Sequence, residues 1–148
     1  MIKTAFKKNP SLIPLEGLLG TWDVTMSHVA LPEPVTWKAS IEWFENAFII
    51  MRWLVEHDIP DTVMIMGRNE NKPDDMYSLL TYDSRGVSRI FDMQFSESVW
   101  KFSREDKDFF QRFEGTVKED SITGKGENSN DSGKTWEHDY TLTYTRVK

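Results

Sequence analysis

Three histidines and one arginine carry most of the chemistry open to this sequence. His28, His57, His138 and Arg89 each fall in a run that alternates apolar with polar residues, on the apolar side. Their neighbours there are Met26 for His28, Trp53 and Val55 for His57, Phe91 and Met93 for Arg89, and Trp136 and Tyr140 for His138. Imidazoles in such positions serve first as half-wet rim residues bonded to loops. Three that converge could hold zinc, with nitrogens at about 2.0–2.1 Å from the metal, or serve haem. No His-x-His pair fixes two ligands on one strand, so a bound group of either kind stays the alternative reading. An arginine on an inner face could take a ligand carboxylate through two parallel charge-assisted bonds. Its competing role is an internal ion pair with Glu114 or Glu127, and Arg112 follows the same logic as a lesser candidate.

Catalytic signatures are weaker. His138 and Asp139 are adjacent in sequence and point to opposite faces of an extended chain, so they are not a dyad, and His57–Asp58 has the same difficulty unless the chain turns there. Gly-x-Ser-x-Gly, His-Glu-x-x-His and phosphate-cradling glycine loops are missing from the sequence. An enzyme using the same pocket is an alternative, and no residue is assigned a catalytic role.

What must position these residues is a set of strands. Trp22, Val24, Met26 and His28 share one face. Trp37, Ala39, Ile41 and Trp43 oppose Lys38, Ser40 and Glu42, while Ile49, Met51, Trp53, Val55 and His57 oppose Arg52 and Glu56. Strands are predicted over 21–30, 36–44, 48–57, 62–68, 76–82, 87–95, 99–104, 109–117, 121–128 and the stretch ending at 146. Short turn-rich connections such as "DSRG" make sequential neighbours antiparallel. A ten-stranded meander with one apolar face closes into a barrel, which removes both edges. The fold class is all-β: a closed antiparallel meander barrel of about ten strands, one end capped by a short N-terminal helix in "NPSLIPLEGLLG". Two prolines limit that helix to one or two turns, and residues 1–14 include an N-terminal arm.

Composition agrees with one domain over 1–148. Six Trp, nine Phe and four Tyr suit pleated walls and ligand cavities. A net charge of −6 argues against a nucleic-acid partner. No cysteine is present, no apolar run could span a bilayer, and the N-terminus lacks a signal-peptide pattern. A cytoplasmic monomer or homodimer, away from membranes, is the expectation.

In "LLGTWDV", Gly20 and Trp22 enter the first strand after the helix, and Arg146 answers from the last strand. This pattern resembles the calycins, the lipocalins and fatty-acid-binding proteins. The resemblance implies a Trp under the barrel floor with an Arg packed across it. The stretches "TYDSRG", "FDMQFSESVWKFSR", "FFQRFEGTV" and "ITGKGENSNDSGKTWEHDYTLTYTR" look like an uncharacterised lipocalin-like family, a domain of unknown function, over roughly the last half of the chain. Haem-binding nitrobindins have a similar Gly-Thr-Trp, followed by a Gly-rich, Tyr-Pro-containing stretch where this chain reads "WDVTMSHVA".

With the helix, Trp22 and Arg146 at the bottom, strand direction puts His28, His57, Arg89 and His138 near the top. Strict alternation along the last strand sends Trp136, His138 and Tyr140 inward, with His28 opposite Tyr140. The predicted site is therefore a pocket walled by Trp37, Trp53, Phe91, Trp136 and Tyr140, with His28, His57, His138 and Arg89 orienting a polar end. Its expected occupant is a small, largely apolar molecule with a carboxylate head, and no cofactor. A barrel packed with its own side chains is the remaining alternative.

Overall fold

The computed structural model describes residues 7–56 and 59–148. His57 and its neighbour Asp58, and the first six residues of the arm, lie outside the described residues.

The helix is longer and tighter than the prolines suggested. Asn9 caps it by accepting from the Ser11 N–H at 3.0 Å, and Pro10 opens it at a position where no donor is needed. Pro10–Leu18 forms nine residues of 3₁₀-helix. Three residues per turn place Leu12, Leu15 and Leu18 on one line, and all three are fully buried while Ile13 faces out. That spacing of three suits a 3₁₀ turn better than an α turn. It also corrects the arm, because Pro10 to Pro14 belong to the plug that closes the barrel bottom.

Ten strands follow: β1 (Gly20–His28), β2 (Val35–Phe44), β3 (Phe48–Leu54), β4 (Thr62–Arg68), β5 (Met76–Asp83), β6 (Ser88–Ser96), β7 (Val99–Asp106), β8 (Phe109–Val117), β9 (Ser121–Ser129) and β10 (Glu137–Arg146). Each pairs antiparallel with the next, and β10 returns to β1 to close the barrel. The closing ladder runs from Trp22↔Arg146 to His28↔Tyr140, so the expected register holds.

The floor is built around Trp22 and Arg146. Trp22 is fully buried, and its indole N–H donates to the Leu18 carbonyl at 2.9 Å. The Arg146 guanidinium lies 4.1 Å from the Trp22 ring centre and donates to the carbonyls of Gly17, Leu19 and Glu119. Gly20 has φ +135°, and a Cβ there would sit 2.6 Å from Arg146 Nη1. Both the dihedral and the close approach require glycine. Tyr77 completes the seal by donating to the Ser11 carbonyl at 2.9 Å.

One irregularity changes the upper rim. The β10–β9 register shifts between His138 and Tyr140, the mark of a β-bulge. Below it, Tyr140, Leu142 and Tyr144 face inward as expected. Above it, parity reverses.

Candidate functional site

An opening at the top of the barrel leads into a cavity of about 260 Å³. Aromatic residues from alternate positions of four strands form its body: Trp53 on β3, Phe91 on β6, Trp100 and Phe102 on β7, and Phe113 on β8. Met26, Met64, Leu142 and Tyr144 fill the spaces between them. Phe102 stacks on Phe113 at 4.7 Å between ring centres, and Tyr140 continues the stack at 6.3 Å. Trp37 sits behind this wall, 4.7 Å from Trp53.

Room for the Phe113 and Tyr140 rings comes from β9. Gly124 and Gly126 lie on its inner face, alternating with the outward Thr123 and Lys125, and a methyl group on either would overlap Phe113 or Tyr140. Those rings therefore lie over bare backbone and take the space that side chains on β9 would fill.

The mouth is polar and carries both signs of charge. Arg89 points in from β6, as its parity with Phe91 and Met93 predicts. Burial first, then the Arg104 and Arg85 charges, push the Arg89 guanidinium below its ordinary range. Arg85 is held by Asp83 through two contacts, at 3.2 and 2.7 Å, and this pairing depresses the Asp83 carboxyl from 3.8 to about 2. Arg104 donates to Gln111 at 2.6 Å and lies 3.6 Å from Asp106. Among the described residues Arg89 alone of these three cations has no ion-pair or hydrogen-bond partner, and neither Glu114 nor Glu127 reaches it. Those two pair with Lys101 and Arg112 on the outer surface.

Across the mouth stands His28. Its Nδ1 accepts from the Ala30 N–H at 2.9 Å, which leaves the proton on Nε2, and Nε2 lies 3.0 Å from Asp139 Oδ1. Both ring nitrogens are engaged, so His28 has no lone pair to offer a metal. Among the described residues no three His, Cys, Asp or Glu side chains lie close enough to hold a metal ion.

The bulge corrects two expected pocket residues. His138 is exposed and faces Thr141 on the outside, with Nε2 3.4 Å from its hydroxyl. Trp136 lies under the Arg112 guanidinium, 3.8 Å from the ring centre, and Arg112 also pairs with Glu127. Trp136 and His138 thus belong to the outer surface, and Asp139 takes the inward place. Of the nine residues read as a pocket, Trp53, Arg89, Phe91, Tyr140 and His28 line the cavity, Trp37 backs it, and His57 lies outside the described residues.

Burial raises the Tyr140 phenol, and the Asp139 charge adds to the effect. Tyr144 is raised by burial too; the nearby Trp53 indole opposes this weakly without reaching hydrogen-bond geometry. The indole N–H groups of Trp37, Trp53 and Trp100 are buried without an acceptor. Unpartnered donors of this kind cost about 1–3 kcal/mol each.

Asp139, Gln111, Arg104 and the paired glycines were missed by alternation alone. The run Glu137-His138-Asp139, three polar residues in succession, was the available sign of a bulge. Gly-x-Gly within a strand was the available sign of an inner face left bare.

The sequence matches no protein-family profile and no curated protein. Among solved structures it is similar to the crystal structure of Rv2717c from M. tuberculosis, with a TM-score of 0.67, 11% identity, and coverage of 96% of this chain and 100% of that one. It is also similar to a redesigned β-barrel, with a TM-score of 0.49, 12% identity, and coverage of 89% and 93%. The first of these likenesses carries the barrel fold alone. No described helix is long and apolar enough to cross a membrane.

Proposed function

We propose that this barrel binds a small, largely apolar molecule with an anionic head group, the head on Arg89 and the body among Trp53, Phe91, Trp100 and Phe102. One observation carries the reading: an aromatic cavity opens beside a cation that has no ion-pair partner among the described residues, while the neighbouring Arg85 is already paired with Asp83. An arriving carboxylate relieves the repulsion that Arg104 and Arg85 exert on Arg89, and partial burial strengthens the pair relative to water. The resemblance of Gly20, Trp22 and Arg146 to the calycin pattern supports a ligand carrier, and the open cavity argues against the filled-barrel alternative. The lipocalin-like family and a cytoplasmic setting belong to the same proposal.

Size narrows the ligand. A cavity of about 150 Å³ accepts benzene, so 260 Å³ suits a single ring with a short side chain, or a short aliphatic acid. Octanoate and phenylacetate are expected to quench the tryptophan fluorescence saturably. Octanol and 2-phenylethanol should bind about tenfold or more weakly, the usual worth of a charge-assisted bond. Arg89→Met should erase that preference and leave alcohol binding nearly intact. Equal binding of acids and alcohols by the unaltered protein would remove Arg89 as the anchor.

A further inference from the structure

The mouth holds a second polar anchor, and it has the opposite sign. Asp139 is a carboxylate turned into an aromatic cavity by a bulge that disrupts the β10–β9 ladder. Without the bulge its place would be on the outer surface with the other polar residues of β10. Bulges recur where a side chain must be re-aimed, and here the re-aimed group is an acid. Its side chain is only 18% exposed. Two further contacts fix its position. The Val29 N–H donates to the Asp139 carbonyl at 3.0 Å, and His28 offers Nε2–H to Oδ1. His28 is in turn locked by the Ala30 N–H at Nδ1. One carboxylate oxygen is thus committed, while Oδ2 has no partner among the described residues. A partly buried carboxylate oxygen favours a hydrogen-bond donor.

Arg89 and Asp139 stand on β6 and β10, four ladders apart in a ring of ten strands, so they face each other nearly across the opening. A ligand that touched Arg89 alone would leave Asp139 Oδ2 desolvated and without a donor, His28 serving only Oδ1. Resting on the anion-binding reading above, we infer that the ligand is bipolar: a small aromatic acid whose carboxylate meets Arg89 and whose ring hydroxyl donates to Asp139. The 260 Å³ cavity fits one ring carrying these two groups. Asp139 then discriminates among ring acids that Arg89 accepts alike, because a methyl group in place of the hydroxyl covers Oδ2 without giving it a donor.

Isothermal calorimetry at neutral pH tests this with phenylacetate and its 3-methyl, 4-methyl, 3-hydroxy and 4-hydroxy derivatives. At least one hydroxy acid should bind about 10- to 100-fold more tightly than the methyl acid substituted at the same carbon, the span of a hydrogen bond to a charged group. In Asp139→Asn that preference, read as the ratio of hydroxy-acid to methyl-acid affinity, should fall several-fold. His28→Gln should weaken the preference in the same direction by loosening Asp139. If both hydroxy acids bind no better than their methyl counterparts in the unaltered protein, the bipolar ligand is overturned and the anion-binding reading survives. If none of the five acids binds, both fall. The comparison within the unaltered protein decides the matter even where a variant does not fold.

Discussion

Removing the floor tryptophan tests how the barrel is closed. Trp22 is fully buried, so Trp22→Ala forfeits its whole apolar area and leaves a cavity, about 3–5 kcal/mol for buried aromatics. Losing the bond to the Leu18 carbonyl adds about 1 kcal/mol and places the change toward the upper end of that range. Arg146→Ala loses three donations to backbone carbonyls, but the side chain is 23% exposed and water can reach part of the gap. We expect about 2–3 kcal/mol there, below the sum of three full bonds. The two residues also touch, guanidinium over indole at 4.1 Å, an interaction worth about 1 kcal/mol in a partly desolvated setting. The double variant should therefore lose about 1 kcal/mol less than the two single losses added together. Urea unfolding followed by far-UV circular dichroism measures all four proteins, with Trp22→Leu as the substitute if the alanine variant fails to fold. Additivity within about 0.3–0.5 kcal/mol would refute the contact as an energetic unit.

Other outcomes follow from other parts of the molecule. Trp136→Ala should leave ligand binding unchanged in a fluorescence titration, since its ring lies outside under Arg112; a large loss would restore the unbulged parity. Gly126→Ala must displace the Tyr140 ring, with an overpacking cost of about 1–3 kcal/mol and weaker binding of ring acids by calorimetry. Gly20→Ala combines a disallowed dihedral with a clash against Arg146, and a loss of about 1–3 kcal/mol or more should be seen in thermal melts. Asp83 and Asp131 have carboxyls depressed from 3.8 to about 2, Asp83 by Arg85 and Asp131 chiefly by Thr135. Depressed groups contribute stability that is complete above 3.8 and lost as pH falls toward 2, so Asp83→Asn and Asp131→Asn should flatten the melting temperature across that window.

Much of the barrel was legible because alternation and turn residues are local signals. Strands 62–68 and 109–117 were placed to the residue, and Trp22 opposite Arg146 fixed His28 opposite Tyr140. Other features depend on what lies across the sheet. The bulge at Asp139 is a mismatch between β10 and β9, and no single strand shows which residue becomes the extra one. The glycines of β9 acquire meaning only once Phe113 and Tyr140 are known to lie over them. The 3₁₀ character of the helix was readable from leucines spaced by three, yet α-helical spacing tolerates the same residues. Arg89 was found because its inward parity survives undisturbed on β6. His138 was misplaced because its parity does not.

The way the ends meet has a kinetic side. Nine of the ten ladders join strands adjacent in the chain and can form as local hairpins, while the tenth joins β1 to β10. Arg146 and Leu19, bonded across that seam, are 127 residues apart in sequence. Closing a flexible loop of that length directly would cost about 4 kcal/mol in chain entropy, which the local ladders reduce by bringing the ends together first. The nine local ladders can assemble first as an open curved sheet with two unpaired edges, and the seam then closes it in one late step. During that interval β1 and β10 are the strands through which one chain could pair with another, so Trp22 and Arg146, which reward closure, also shorten the molecule's exposure to aggregation.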